Sequence, residues 1–429
     1  MKRANGPAVM KRILLYSPDV IGHPRVYCRV IADALADSNA EIVLAMGFGE
    51  KAELNDCADL LPLVDRPKVQ VIDTRPHSDE GARHLKAEEL VRLQKRFGIE
   101  TTLFIEGDKS EAEFRRIAAG DAPRLGGRNL GIFANTAEWY PGEDSFTGEP
   151  RGILAPTLRT TLGNIKRAVF ERAKSARHFY ENVLLGTAVL DDILVKDERL
   201  AGWYGPPVYW MPEISRPASL PETTAEAKEF RVREAELRAF AKSNPERELV
   251  LYFGDASFYK GYDLFLRYVA STRSVCAVHA GRSYDPEQRR QFRHDVDVLR
   301  GQLKAEGRLL ETNAYVHTKQ LKDLYFGAVR LYLTTHRLAL SSSTIIQALE
   351  MGKPVLVPDR GLLGYRVRTN NLGAVYEYEN LGDLSRMADL LWGGDLTRFK
   401  APVRSFWQRF SDEAIREFFR TRLLGIRAG

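Results

Sequence analysis

Two short segments in the second half of the chain have the residue types that a phosphate requires. Lys260, in Tyr259-Lys260-Gly261-Tyr262, stands just before a helix-like stretch, and Ser341-Ser342-Ser343-Thr344 opens another. A helix start carries backbone N–H groups without intrahelical partners and the positive end of the peptide dipoles. A cation or small hydroxyls beside it therefore make a seat for an oxyanion. An ordinary N-cap is the simpler reading of the serine run. Four hydroxyl residues together, ahead of Gly352-Lys353-Pro354 and a strand, favour phosphate contact instead. Arg282, after Ala280-Gly281, is a further cation at a strand end, available to a phosphate or to a surface ion pair.

The first half offers proton chemistry. His23 lies in the loop Val20-Ile21-Gly22-His23-Pro24. An imidazole titrates near neutrality, so it can take the proton of a hydroxyl that attacks an electrophile, or simply bind acceptor or phosphate. As a base it would want a carboxylate to orient it; Asp108, ending Phe104-Ile105-Glu106-Gly107-Asp108, is one candidate and Asp19 another. Glu138, in Asn135-Thr136-Ala137-Glu138-Trp139-Tyr140, follows a strand and is able to orient hydroxyls or exchange protons. A solvated loop carboxylate is its commoner fate.

Elements that would position these groups come in two blocks. Ile13-Leu14-Leu15-Tyr16 is a continuous apolar run, which a parallel sheet covered on both faces requires. An amphipathic helix through Tyr27, Val30, Ile31, Ala34 and Leu35 and a strand at 41–45 complete a βαβ unit. Further strands are expected at 69–72, 102–105, 130–133, 188–190 and 207–210, with a mostly helical stretch from Arg151 to Phe179. The segment Pro217 to Glu226 has the Pro, Ser, Thr and Glu content of a connector. The rhythm restarts at Glu248-Leu249-Val250-Leu251-Tyr252-Phe253, which ends at Gly254, and runs through strands near 275, 330 and 354. Residues 397–424 read as an aromatic-rich terminal helix that must dock on something. Expected domains are 1–213, a linker and connecting helix at 214–247, 248–395, and a segment at 396–429 crossing back. The fold class is α/β, with two doubly wound Rossmann-like domains facing across a cleft.

In that second block the order of motifs resembles the GT-B-fold glycosyltransferases, in particular the large retaining family of bacterial cell-envelope sugar transferases (family 4-like). Leu251-Tyr252-Phe253-Gly254-Asp255 with Tyr259-Lys260-Gly261-Tyr262-Asp263 resembles its strand, glycine turn, Lys-Gly and helix. Gln347-Ala348-Leu349-Glu350-Met351-Gly352-Lys353-Pro354-Val355 resembles its helix–Gly-x-Pro–strand signature. The resemblance spans most of residues 248–395 and implies that this domain binds a nucleoside-diphosphate sugar. Gly254, Lys260, Arg282, Ser342, Ser343 and Thr344 would lie at the diphosphate and Gln347 at the ribose. Two positions depart from the pattern. Asp255 stands where the family usually has an Arg, and Ala339 and Gln347 stand where it has paired glutamates. Gly22-His23 and Thr344-Ile345-Ile346-Gln347-Ala348-Leu349 resemble instead the Gly-His loop and Thr-x-x-Glu-Ala-Leu helix of inverting GT-B enzymes. Retention and inversion both stay open. On either reading the acceptor side falls to the first domain, with Gly22 and Asn135 binding and His23, Asp108 and Glu138 catalytic.

Composition bounds the rest. The chain has 429 residues, 44% hydrophobic and 28% charged, which excludes disorder, coiled coil and collagen and suits two domains. Its 63 basic against 57 acidic residues give +6, too mild a surplus to argue for nucleic acid. The three cysteines are scattered, without a C-x-x-C pair, which fits a reducing cytoplasm. No apolar run approaches the roughly 20 residues of a spanning helix. Between Arg159 and Arg177 six basic residues face a single acid with apolar residues interleaved, which suits a solvated helix or peripheral contact with the anionic inner face of a membrane. Asp295-Val296-Asp297 imitates a metal-binding D-x-D inside a charged helix, so no metal site and no cofactor are expected. The expected activity is metal-independent transfer of a sugar from a nucleoside-diphosphate donor to a hydroxyl of a glycan or lipid-linked glycan, in cell-surface polysaccharide synthesis. A non-catalytic scaffold relative and a nucleotide-sugar 2-epimerase are the alternatives.

Overall fold

The computed structural model describes residues 10–18, 23–47, 60–74, 85–133, 186–214, 224–282, 290–316, 318–337 and 341–425. The described residues up to 214, with 411–425, form one compact unit, and those from 224 to 410 form a second.

In the first unit, β1 (Lys11–Ser17), β2 (Ala40–Met46), β3 (Val69–Asp73), β4 (Thr101–Phe104), β5 (Arg128–Phe133), β6 (Asp192–Val195) and β7 (Val208–Trp210) make one parallel sheet in the order β3-β2-β1-β4-β5-β6-β7. Ile13 pairs with Ile42 on one side and Thr101 on the other, so β1 is central and its apolar run is buried on both faces. Ile13 and Leu15 pack with α1 (His23–Leu35) and α2 (Leu61–Val64). Leu14 and Tyr16 pack with α3 (Ala87–Phe97), α4 (Glu111–Ala119) and α5 (Glu198–Tyr204). Each such side chain contributes about 1.5–3 kcal/mol when fully buried. Helices on both faces are what forced the unbroken apolar pattern.

The strand expected at 188–190 lies four residues later. Residues 186–189 form a helical turn, closed by Leu190 N–H donating to the Gly186 carbonyl at 2.7 Å. Asp191 then exchanges hydrogen bonds with Asn129, its N–H donating to the Asn129 carbonyl and its carboxylate accepting the Asn129 N–H, both at 2.7 Å. That exchange sets the register of the buried Ile193-Leu194-Val195 against β5.

The second unit opens with α6 (Thr224–Lys242). It then alternates β8 (Glu248–Phe253), α7 (Tyr262–Ser271), β9 (Val275–Ala280), α8 (Arg290–Ala305), β10 (Leu309–Glu311), α9 (Lys319–Ala328), β11 (Tyr332–Leu333), α10 (Ser343–Glu350), β12 (Val355–Pro358), α11 (Gly361–Asn370), β13 (Gly373–Tyr376), α12 (Leu381–Trp392) and α13 (Lys400–Gln408). Two parallel ladders, β10-β9-β8 and β11-β12-β13, lie with β11 beside β8. Strand order therefore reverses between β8 and β11, as it does between β1 and β4 in the first unit. Ligands of open α/β sheets bind beyond the strand C-termini at such a reversal.

The terminal helix expected over 397–424 is divided. It breaks at Phe410-Ser411, where the Ser411 hydroxyl accepts from Ala414 N–H at 3.2 Å and caps α14 (Asp412–Leu424). Before the break, α13 packs on α10 and α11 within the second unit. Beyond it, α14 belongs to the first unit and packs on α1, inserting Ile415, Phe419 and Leu423 into the core. Its last carbonyls are met by basic groups: Arg128 donates to Arg422 and Lys11 to Leu424.

Candidate functional site

The reversal point of the second unit is built from glycines that let loops touch. Gly254, directly after β8, has φ +103, and a Cβ there would come within 3.0 Å of Lys260 Nζ. The ammonium thus folds back over the end of β8. Gly261 has φ +67, and a Cβ would meet the Thr335 carbonyl oxygen at 1.9 Å, so no other residue fits. Thr335 Oγ1 donates to the Gly261 carbonyl at 2.7 Å. Lys260 is thereby pinned where the loops following β8 and β11 meet, at the N-terminus of α7.

Arg337 is the strut of this corner. Its N–H donates to the Tyr259 carbonyl at 2.9 Å and its guanidinium to the Phe258 carbonyl at 2.8 Å. The same guanidinium makes a two-point bond to Asp263, in the first turn of α7, at 2.7 and 2.8 Å, and pairs with Glu379 at 2.9 Å. Beside it His336 is buried, with Nδ1 hydrogen-bonded to Thr334 Oγ1. Burial pushes the His336 imidazole down to about 3, and the neighbouring Lys260 charge adds to the effect. The ring is neutral at any working pH.

The serine run does something other than cap. Ser342 is the N-cap of α10 by backbone position, yet its side chain makes no capping bond; its Oγ pairs with Thr344 Oγ1 at 2.9 Å. Ser341 Oγ accepts from Arg366 of α11 at 3.3 Å, and Thr344 bonds the buried Tyr332 hydroxyl. The first-turn N–H groups of α10 keep their capacity for an anion, because the side chain that would normally take one is turned aside. Gln347 is half-buried one turn further along the same helix. Since α10 follows β11 and α7 follows β8, both helices present their N-termini at the same edge of the sheet.

Arg282 is engaged elsewhere. It makes a two-point bond to Asp255 at 3.0 and 2.6 Å, both side chains exposed. Bonding to Arg282 holds the Asp255 carboxyl below its usual range, with Lys260 adding to the effect. Asp255, which stands where the resembled family usually has an Arg, is thus neutralised by Arg282. The pair carries little net charge. Asp295 and Asp297 sit on α8 and pair with Arg267 and Arg300, so the D-x-D is a salt-bridged helix face. Among the described residues no group of three or more His, Cys, Asp or Glu could hold a metal ion.

A buried polar chain supports Gly254 from below. His279 Nε2 bonds the Gly254 carbonyl at 3.1 Å and Nδ1 meets Tyr262 Oη at 3.1 Å; Tyr262 donates to Glu311 at 2.9 Å. Arg300 donates twice to Glu311, at 2.8 and 2.9 Å, and Lys304 pairs with it at 2.5 Å. Burial alone would raise the Glu311 carboxyl, but the bonds from His279, Arg300 and Lys304 outweigh it and hold the group well below the ordinary carboxylate range. A carboxyl depressed in the folded state stabilises the protein above its unfolded value, near pH 4.3, and loses that contribution as pH falls. Melting temperature is expected to fall more steeply from pH 5 to pH 3 in the wild type than in Glu311→Gln. Parallel slopes would show that the network carries no such linkage.

In the first unit the reversal point brings Ser17, at the end of β1, to Glu106, just past β4, with Ser17 Oγ donating at 3.2 Å. Asp108 sits on the short turn Gly107–Ser110 next to them, and Lys109 pairs with Glu106 at 2.7 Å. His23 opens α1, but its side chain, with Gly22, Asn135, Glu138, Asp19 and the basic stretch Arg159 to Arg177, lies outside the described residues. Sequence reasoning passed over Glu106 in favour of Asp108. It also missed a buried ion pair between Lys196, after β6, and Glu213, after β7, at 3.0 Å, whose ammonium lies 5.3 Å from the Tyr27 ring. His336, Arg337 and Thr335 were likewise missed, although their place directly after the strand beside β8 was a signal for them.

No protein-family model matches the chain, and no curated protein matches its sequence. Solved structures are similar along its whole length. A sucrose-phosphate synthase from Thermosynechococcus elongatus has a TM-score of 0.60 at 13% identity, covering 97% of this chain and 100% of that one. HepE of Anabaena, in complex with UDP, has a TM-score of 0.60 at 14% identity, covering 97% and 100%. A glycosyltransferase from Rickettsia africae has 0.59 at 12%, covering 97% and 99%. Identities this low carry the fold alone: the chain has the GT-B fold, built from two Rossmann-like α/β units. No helix among the described residues is long and apolar enough to cross a membrane.

Proposed function

We propose that the chain is a glycosyltransferase that moves a sugar from a nucleoside-diphosphate donor to a hydroxyl of a glycan or lipid-linked glycan. One observation carries the reading: Lys260 and the uncapped N-terminus of α10 belong to the two loops that flank the strand reversal of the second unit. In transfer the bond between the anomeric carbon and the phosphate oxygen breaks, and its electron pair stays on the diphosphate. Fixed positive groups aimed at that oxygen stabilise the charge as it develops. Lys260, with the amides of Ser342, Ser343 and Thr344, would take this part, Gly254 would allow the phosphate close approach, and Gln347 would meet the ribose. Arg282 could join only by exchanging Asp255 for the ligand. The acceptor hydroxyl bonds to the anomeric carbon and gives up its proton, and the first unit supplies the candidates for that step in His23, Glu138 and Asp108. The reading requires no metal ion. A place in cell-surface polysaccharide synthesis, with the basic stretch Arg159 to Arg177 resting on an anionic membrane, belongs to the same proposal.

A thermal-shift panel of UDP, GDP, TDP, ADP and CMP tests it. A nucleotide at a hundred times its dissociation constant adds about 2.7 kcal/mol of stability, and at least one diphosphate is expected to raise the midpoint. A flat response to all of them would end the donor-site reading. Incubation of the donor sugar without acceptor separates an epimerase, which would convert it to the 2-epimer, from a transferase, which would leave its configuration intact.

A further inference from the structure

Lys260 provides charge and α10 provides amides, and the loop that follows β11 adds a side chain whose chemistry is unspent. His336 is 9% exposed and follows β11 at the strand reversal. Its Nδ1 is tied to Thr334 Oγ1. Thr334 is itself fixed, its N–H donating to the Leu356 carbonyl at 3.0 Å and its own carbonyl accepting from Tyr376 Oη at 3.1 Å. If the threonine hydroxyl donates to Nδ1, the ring proton resides on Nε2. Among the described residues no protein group bonds that nitrogen, which leaves it open to a ligand. Burial and the neighbouring Lys260 keep the ring neutral, so it can sit beside the ammonium without repelling it.

We propose that His336 is a ligand of the donor diphosphate, its Nε2–H donating to a phosphate oxygen that Lys260 neutralises. The assignment rests on the second unit being the donor site. It gives the pocket two unlike grips on one anion, a charge and a rigid neutral donor. Loss of the rigid grip should cost affinity even with the charge in place.

UDP and GDP, titrated separately, are the probes. Protein labelled with nitrogen-15 in histidine is observed with and without nucleotide, and the His336 signals are assigned by their loss in His336→Gln. The nucleotide that binds is expected to shift the His336 Nε2 resonance. His336→Leu should weaken its binding about tenfold or more, whereas His336→Gln, which keeps a neutral donor, should stay within about threefold. Wild-type binding with an unmoved His336 resonance would overturn the proposal while leaving the donor site standing. Failure of both nucleotides to bind wild type would overturn the donor-site reading and this inference with it. Should His336→Leu not fold, the wild-type resonance shift decides the matter alone.

Discussion

Lys260→Ala is expected to lower kcat/KM for the nucleotide-sugar donor about 100- to 1,000-fold, the range found when one fixed group that stabilises a developing oxyanion is removed. The ammonium is held over Gly254 by a loop that cannot relax, because Gly261 is locked against Thr335. The two described arginines beside it are engaged, Arg337 with Asp263 and Glu379, and Arg282 with Asp255. Among the described residues no hydrogen bond or ion pair of the fold runs through the Lys260 ammonium, so folding should be unaffected. Steady-state kinetics with the unmodified melting curve as control would check this. A loss smaller than threefold would mean that the phosphate does not lie at Lys260.

Arg337→Leu is expected to destabilise the second unit by about 3 kcal/mol. Its partner Asp263 is buried, and breaking such a pair from one side leaves a charge without compensation. The carbonyl of Phe258 loses its donor as well. Adding Asp263→Leu to the same protein should recover part of the loss, since the stranded carboxylate goes with it. The shift of the urea midpoint for this unit is the measurement. A single variant within 1 kcal/mol of wild type, or a double variant worse than the sum of its parts, would show that the pair is not what holds the corner.

What the sequence made legible were features written in consecutive residues. The runs Ile13–Tyr16 and Glu248–Phe253 announce central parallel strands because both their faces must be apolar. Gly254, Lys260 and the serine run could be singled out because a helix start is a local event. Contacts across long separations left no such trace. Arg337 meets Asp263 across 74 positions and Ser17 meets Glu106 across 89, and neither pair has a spacing that any pattern encodes. The strand at 192–195 was misplaced because Ala188-Val189-Leu190 is as apolar as the true strand, and only the exchange between Asp191 and Asn129 decides the register. The pairing of Asp255 with Arg282, across 27 positions, left no trace either.

A crystal structure of the full chain with UDP would put the central claim to the most direct test. The diphosphate should be found with oxygens about 3 Å from Lys260 Nζ and from the amide of Ser343 or Thr344. A UDP seated away from the ends of β8 and β11, with Lys260 directed into solvent, would contradict it.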